Sequence, residues 1–370
     1  MPLLRSLCLI AASALLGAAD HLPTAADGIR LKDYLPVSIY HVPATAVPRA
    51  RYPAIDVHSH DFAKTPEAVD AWVAAMDAAN VAESIVLSFA TSADLEPFLA
   101  RYGRHPGRFE VWCYFDFTRT DEPDWSARAL ADLERCHRLG ARGVGELMDK
   151  GMGFHPVLAS PTLATTLDEK PGMHINDPRL RPLLAKCAEL KMPINIHVAE
   201  DAWMYLPADA SNDGLMNGAN WKVDMSKPGI LDHDQLVRTL EEAVRDNPAT
   251  TFIACHLANC CSDLGQLGRL LDAYPNLYAD IGGRFAEIAP IPRAAKAFFD
   301  RYHERLLYGT DAPSTSRFYQ LSFRILETAD EHFYDIPMFG YHWPLHGLDL
   351  GDQTLRALYH DNAARLLERR

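Results

Sequence analysis

From residue 53 onward, short apolar runs alternate with longer stretches in which apolar residues recur every three or four positions, the signatures of strands and amphipathic helices. Eight such pairs can be counted. Strands are expected at 54–58, 84–89, 109–117, 141–146, 193–198, 250–256, 276–280 and 306–310, with helices between them, among them 66–79, 125–139, 178–190, 234–245 and 263–274. Two helix starts are signed locally: Thr65-Pro66 and Asp177-Pro178 each set a capping side chain before a proline at the first helical position. Strand–helix alternation repeated eight times predicts an α/β fold of the (β/α)8 TIM-barrel type over residues 53–370. A doubly wound open sheet is the rival, weakened because no Gly-x-Gly-x-x-Gly follows the first strand.

Three stretches exceed the usual connection length: 147–176, 199–233 and 333–350. The first two leave strand C-termini, where barrel active sites lie, and the second carries Trp203, Tyr205 and Trp221, so rim insertions forming lids or pocket walls are expected. The third holds Tyr341, His342, Trp343 and His346, whose plain reading is packing. Ahead of the barrel, 20–52 contains four prolines without a sustained period and reads as an arm or linker. Residues 1–19 combine Arg5, an apolar run over 7–16 and Gly17-Ala18-Ala19, the pattern of a secretory signal peptide cut near Ala19. The run is too short to span a bilayer, so the mature protein is expected to be exported, periplasmic or extracellular, without stable membrane insertion.

Composition changes this picture little. Of 370 residues, 48% are hydrophobic and 23% charged, ordinary for a soluble globular chain. The formal net charge of −13 argues against nucleic acid or anionic lipid as partner, because phosphate neutralisation supplies most non-specific affinity. Seven cysteines include Cys8 in the leader, and the other six match no zinc-ribbon or redox spacing, so no disulfide is assigned.

The candidate chemistry starts in the first strand, where Asp56, His58 and His60 fall two apart and share one face. Two imidazoles about 6.6 Å apart along a strand can lean toward one metal ion at roughly 2.0–2.1 Å from each nitrogen. Later strands also stop on ligand-type residues: Glu146, His197, His256 and Asp311. Read alone, each is a core histidine, a charge at a helix start or an N-cap. On a barrel they meet at one mouth, which points to a divalent-metal centre of His58, His60, His197 and Asp311, with Glu146 and His256 adjoining. Asp56 and Asn195 lie beneath His58 and His197 as candidates to fix ring orientation. Arg284, four residues past Asp280, can reach the mouth and pair with a substrate carboxylate, although a surface arginine is the plainer reading. Lys150, Glu200 and Asp201 are candidates for the pocket wall.

The strand-one His-x-His, the histidines ending strands five and six and the aspartate ending strand eight resemble the amidohydrolase superfamily. The closing stretch Leu358-Tyr359-His360-Asp361-Asn362-Ala363-Ala364-Arg365-Leu366-Leu367 looks like the C-terminal signature of its amidohydrolase-related branch, which also contains aminocarboxymuconate-semialdehyde decarboxylase. The resemblance spans residues 53–367. It implies that His58, His60, His197 and Asp311 bind a divalent metal, zinc foremost with manganese, iron or cobalt as alternatives. His256 would complete that site or act on the substrate. Glu146 stands where several branches carry a carboxylated lysine, so a single ion, or failing that a glutamate-bridged pair, is expected instead of a carbamate bridge. The implied function is a metal-dependent hydrolase in which metal-activated water attacks a C–N or C–O bond of a small carbonyl compound. Asp311 would relay the proton and His256 would steady the oxyanion. A non-oxidative decarboxylase on the same scaffold is the alternative, and an exported metal-binding protein without catalysis is the reading from another class. A nuclease is disfavoured by the acidic balance. The expected partner is a small molecule, a carboxylate if Arg284 reaches the mouth, and a homo-oligomer stays open.

Overall fold

Eight parallel strands follow one another in chain order: β1 (Ala54–His60), β2 (Val81–Leu87), β3 (Phe109–Trp112), β4 (Val144–Asp149), β5 (Ile194–Val198), β6 (Phe252–Ala254), β7 (Leu277–Asp280) and β8 (Leu306–Leu307). They form a β1–β2–β3 sheet and a β4-to-β8 sheet. The two sheets are joined at both edges. Cys113, just past β3, bridges Val144, and on the other side Val57 N donates to Tyr308 O at 2.9 Å and Asp311 N to His58 O at 2.8 Å. The result is a closed (β/α)8 barrel. The computed structural model describes residues 25–154, 172–312 and 315–368. The expected leader, and residues 155–171 of the first rim insertion, lie outside them.

The helices in order are α1 (Pro66–Ala79), α2 (Leu95–Tyr102), α3 (Trp125–Leu139), α4 (Arg181–Leu190), α5 (Leu215–Gly218), α6 (His233–Asp246), α7 (Leu264–Ala273), α8 (Phe285–Ile288), α9 (Pro292–Tyr302), α10 (Ser316–Glu327), α11 (Ile336–Phe339), α12 (Asp352–Arg356) and α13 (Asn362–Glu368). The caps legible in the sequence form. Thr65 Oγ1 accepts from Ala68 N at 3.3 Å ahead of Pro66, and Asp177 Oδ1 accepts from Arg179 N at 2.9 Å. That second cap starts a short 3-10 turn, Pro178–Leu180, that leads into α4. Along α1, Val69, Trp72 and Met76 fall on one buried stripe, each side chain of this size contributing about 1.5–3 kcal/mol. No helix among the described residues is long and apolar enough to cross a membrane.

The chain divides into two units, Met1–Leu35 and Pro36–Arg370. Described residues of the first make two 3-10 turns, Ala25–Gly28 and Leu31–Asp33. Within the second, residues 36–52 carry no helix or strand and are tied down by side chains: Thr45 N and Oγ1 each donate to Asp330 at 2.7 Å. Insertions 199–233 and 333–350 meet, with Trp343 stacked on Tyr341 at 4.0 Å between centroids and 5.4 Å from Trp203. The six described cysteines are free and buried.

Four strands, β2, β3, β6 and β8, end sooner than expected, and for β6 and β8 the reason is functional geometry. After Ala254 the backbone leaves the ladder for a turn in which His256, Leu257 and Ala258 hold φ of 58°, 54° and 54°; after Leu307 the chain swings over β1, with Asp311 at φ 49°. Beyond Trp112, β3 keeps only the bridge at Cys113.

Close approach of β8 to β1 depends on Gly309, where a Cβ would lie 2.7 Å from His58 Cβ. Gly309→Ala is therefore expected to destabilise the protein by about 1–3 kcal/mol through overpacking. Urea unfolding should show a lower midpoint with an unchanged slope; an unchanged midpoint would remove this contact from the account.

Candidate metal centre

Four imidazoles and two carboxylates converge at the mouth. β1 supplies His58 and His60, β4 Glu146, β5 His197, the turn after β6 His256, and the segment after β8 Asp311. Each ring has one nitrogen pinned to an acceptor oxygen. His58 Nδ1 is 3.0 Å from Asp280 Oδ2, His60 Nδ1 3.1 Å from Leu87 O, His197 Nε2 2.8 Å from Ala199 O, and His256 Nδ1 2.6 Å from Gly282 O. The pinned nitrogen carries the hydrogen, so in the neutral ring the other nitrogen presents a lone pair.

All four of those second nitrogens face carboxylates. His58 Nε2 lies 3.8 Å from Glu146 Oε2 and 3.7 Å from Asp311 Oδ1, and His60 Nε2 lies 3.3 Å and 3.2 Å from the same two atoms. His197 Nδ1 and His256 Nε2 face the other Glu146 oxygen, Oε1, at 2.8 Å and 3.1 Å. Lone pairs turned on carboxylates repel unless a proton or a cation lies between them. His58 Nε2 is buried and has no hydrogen-bond partner. Ligand atoms roughly 2.0–2.1 Å from one ion stand about 3.3–3.4 Å apart in a tetrahedral site; the four imidazole–carboxylate separations that join His58 and His60 to Glu146 and Asp311 span 3.2–3.8 Å, with His58, His60 and Asp311 in one cation-sized group and His58, Glu146, Cys255 and His256 in an adjoining one. The residues fit a divalent cation.

Electrostatics tell the same story. Burial works against the imidazolium of His58, but Asp280, Cys255 and Glu146 outweigh it and hold its pKa well above the ordinary value. His60 rises to about 9, because Asp311 and Glu146 overcome its burial. Burial likewise opposes the Glu146 carboxylate, yet the charge of His58 and the bonds from His197 and His256 keep its pKa well below the usual range. Asp311 is lowered against burial by His58, His60 and His256. His256 is lowered by its burial, Arg284 and His197. Protons thus offset the carboxylates of Glu146 and Asp311, and a divalent cation can take over that compensation by displacing them.

His197 stands one step back from the expected ligand set. Its free nitrogen meets Glu146, not Asp311, so Glu146 links the His58–His60–Asp311 group to the His197–His256 pair. Asp56 does not hold the His58 ring. It accepts from His58 N at 3.2 Å and from Thr310 N and Oγ1 at 2.9 and 2.7 Å, locking β8 onto β1. Asn195 does not hold His197 either; it donates to Asp280 Oδ2 at 3.0 Å. Asp280 is the residue the sequence pattern left unassigned. Besides His58 and Asn195 it receives His256 N at 3.1 Å and Gly282 N at 2.9 Å, and its place at the end of β7 was the available signal.

The mouth opens into a cleft of two lobes sharing Lys150, His197, Trp221, His256 and Asp311. The larger, 670 Å³, runs past His60 and Phe89; the smaller, 320 Å³, runs past Arg284, Glu287 and Tyr341. The expectation that Arg284 offers a free bidentate fork to a substrate carboxylate is corrected here. Its Nε lies 2.8 Å from Asp201, Nε and Nη2 bond Asn259 Oδ1 at 3.0 and 2.5 Å, and Nη1 bonds Gly283 O at 3.1 Å. Burial drew the guanidinium into internal pairing. Lys150 is paired with Glu200 and sits 4.9 Å from the centre of the Trp221 ring.

A family profile described as amidohydrolase matches residues 24–369. The chain belongs to the amidohydrolase family. Comparison with curated proteins gives no match to this amidohydrolase. Among solved structures it is similar to an uncharacterized TIM-barrel protein from Bordetella bronchiseptica, at 13% identity over 85% of this chain and 98% of that one, with a TM-score of 0.51. It is similar also to a dihydroxybenzoic acid decarboxylase from Polaromonas sp. JS666, solved with manganese and the inhibitor 2-nitroresorcinol, at 14% identity over 86% and 97% of the two chains, with a TM-score of 0.51. Likeness at this level shows the shared fold. As an amidohydrolase the protein is an enzyme, and metal-dependent hydrolysis and its decarboxylating variant both fit the scaffold.

Because Asp280 sets the His58 ring and two backbone amides at once, Asp280→Asn in this amidohydrolase is expected to weaken metal affinity about 10- to 100-fold. Competition with a chromophoric chelator measures it, and unchanged affinity would deny Asp280 that role.

Proposed function

We propose that this protein is a metal-dependent hydrolase that cleaves a C–N or C–O bond of a small carbonyl compound lacking a carboxylate near the reacting centre. One observation carries the reading: the four imidazoles are anchored by their outer nitrogens and turn the inner ones on two carboxylates. We assign His58, His60, Glu146 and Asp311 to hold one divalent ion, with His197 and His256 supporting it through Glu146. A bound ion of the zinc type lowers the pKa of water toward neutrality and polarises a carbonyl. The N/O donor set accepts zinc, and equally manganese, iron or cobalt.

The chain's own residues do the rest. Asp311 is the more exposed carboxylate of the cluster, its side chain 31% exposed against 4% for Glu146, so it accepts a proton from water and returns it to the leaving group. His256, set by Gly282 O, assists at the developing oxyanion. Charge in the cleft favours hydrolysis over decarboxylation. Lys64, Lys150 and Arg284 line it and each is already paired, with Asp61, Glu200 and Asp201. A carboxylic-acid substrate finds no unpaired base among the described lining residues, whereas a neutral or cationic one needs none. Export rests on residues 1–19, and N-terminal sequencing of secreted material should begin at Asp20.

Purified, metal-loaded protein tested on panels of amides, lactones and aromatic acids is expected to hydrolyse members of the first two, to lose turnover on chelation and to recover it with zinc. Asp311→Asn should lower kcat by about 10²–10⁴. Carbon dioxide release without hydrolysis would replace this reading with decarboxylation, and turnover indifferent to chelation would remove the metal. Elemental analysis should find one ion per chain; two would overturn the single-ion assignment.

A further inference from the structure

The smaller lobe contains a buried carboxylate with an oxygen to spare. Glu287, on α8, lines the lobe and is 4% exposed. Its Oε1 accepts from Tyr341 OH at 3.0 Å, while Oε2 is buried without a hydrogen-bond partner. A buried acceptor left unsatisfied is unfavourable, so an occupant that donates to it is stabilised there. Arg284 is not that donor: its Nη1 stays 4.0 Å from Glu287 Oε1, with its other nitrogens committed to Asp201 and Asn259. Lys150, the other base lining the lobe, is taken by Glu200. Arg284 therefore faces two carboxylates, Asp201 and Glu287, and one negative charge has no cation of its own. In keeping with that shortage, burial pushes Glu287 up to about 7, Arg284 opposing and Asp201 adding to the rise.

The rest of the lobe suits a short carbon chain ending in a cation. Trp221, Phe318, Phe339 and Tyr341 supply apolar and aromatic wall, and aromatic faces attract cations. Asp311 and His256 line the same lobe, so a molecule with its carbonyl at the metal centre can direct its tail to Glu287.

We propose that Glu287 and these aromatic walls form a specificity subsite for a primary ammonium group, making the substrate an amide or ester that carries a short alkylammonium tail. The identity of the reacting bond rests on the hydrolytic reading above; recognition of the tail does not.

The test uses the metal-loaded protein and tryptophan fluorescence, with Trp221 as reporter, and titrates butylammonium, butan-1-ol and butyrate. Butylammonium should bind at least about tenfold more tightly than the other two, the margin of one charge-assisted hydrogen bond. Glu287→Gln should weaken butylammonium about 10- to 100-fold with metal content unchanged, while Tyr341→Phe, which keeps the charge, should retain the preference. Equal binding of alcohol and ammonium by the wild type would mean that only water satisfies Glu287, and undiminished binding in Glu287→Gln would place the ammonium elsewhere; either overturns the subsite. If Glu287→Gln does not fold, the wild-type comparison alone decides. Ammonium binding without hydrolysis of any amide or ester would refute the hydrolytic reading and leave the subsite standing.

Discussion

The constraint on which the architecture turns is the carboxylate of Glu146, 3% exposed and enclosed by four imidazoles. A charge so far from water must be compensated locally, or the group gives up its ionisation. The surrounding backbone is shaped to provide that compensation. β4 slips register between Val144 and Leu147 around Glu146, β6 gives up its ladder so that His256 can turn in, and β8 shortens so that Asp311 can cross over β1. The hydrogen bonds those strands forgo are recovered elsewhere: Asp280 takes His256 N and Gly282 N, and Asp56 takes Thr310 N. Regular sheet has been exchanged for aimed side chains.

Much of this was legible before any coordinates. Helices α1 and α3 fall on the residues their periodicity predicts, because amphipathic spacing and caps are local properties. Strand order and approximate position were visible, but bounds were not: β2 begins at Val81 and β4 at Val144, three residues from the expected starts, and ending β8 early depends on a partner far away in the chain, as with Asp311 N and His58 O. The same limit governed the site. Residue type and strand-end position marked His58, His60, Glu146, His197, His256 and Asp311, but which nitrogen meets which oxygen is a tertiary fact. Asp56 and Asn195 share faces with the histidines above them, and face-sharing suggested contact. Asp280, on β7, which does not adjoin β1, makes the contact to His58 instead.

The barrel itself is a generic platform, and its chemistry is grafted at the rim. Two insertions far apart in the chain, 199–233 and 333–350, interlock there through Trp203, Tyr341 and Trp343. Tyr341 therefore serves packing and polar organisation at once, stacking on Trp343 while donating to Glu287. Aromatic residues that look like filler in a sequence become part of the cleft when a loop returns to the mouth. Pairing of Lys150 with Glu200 and of Arg284 with Asp201 has a related effect, since it spends basic charge on internal order and leaves the cleft acidic.

The six interior thiols give this molecule a built-in record of its own breathing. Cys113, Cys136 and Cys187 lie along one side of the chain's path through β3, α3 and α4, and Cys255, Cys260 and Cys261 lie in and just beyond the turn that carries His256. An alkylating reagent can reach either trio only when that part of the protein opens, so the pace of labelling reads the free energy of local opening. The two trios report separately on the supporting half-barrel and on the loop beneath the reacting groups, which makes the inert sulfurs the natural gauge of how rigidly the cation cage is held.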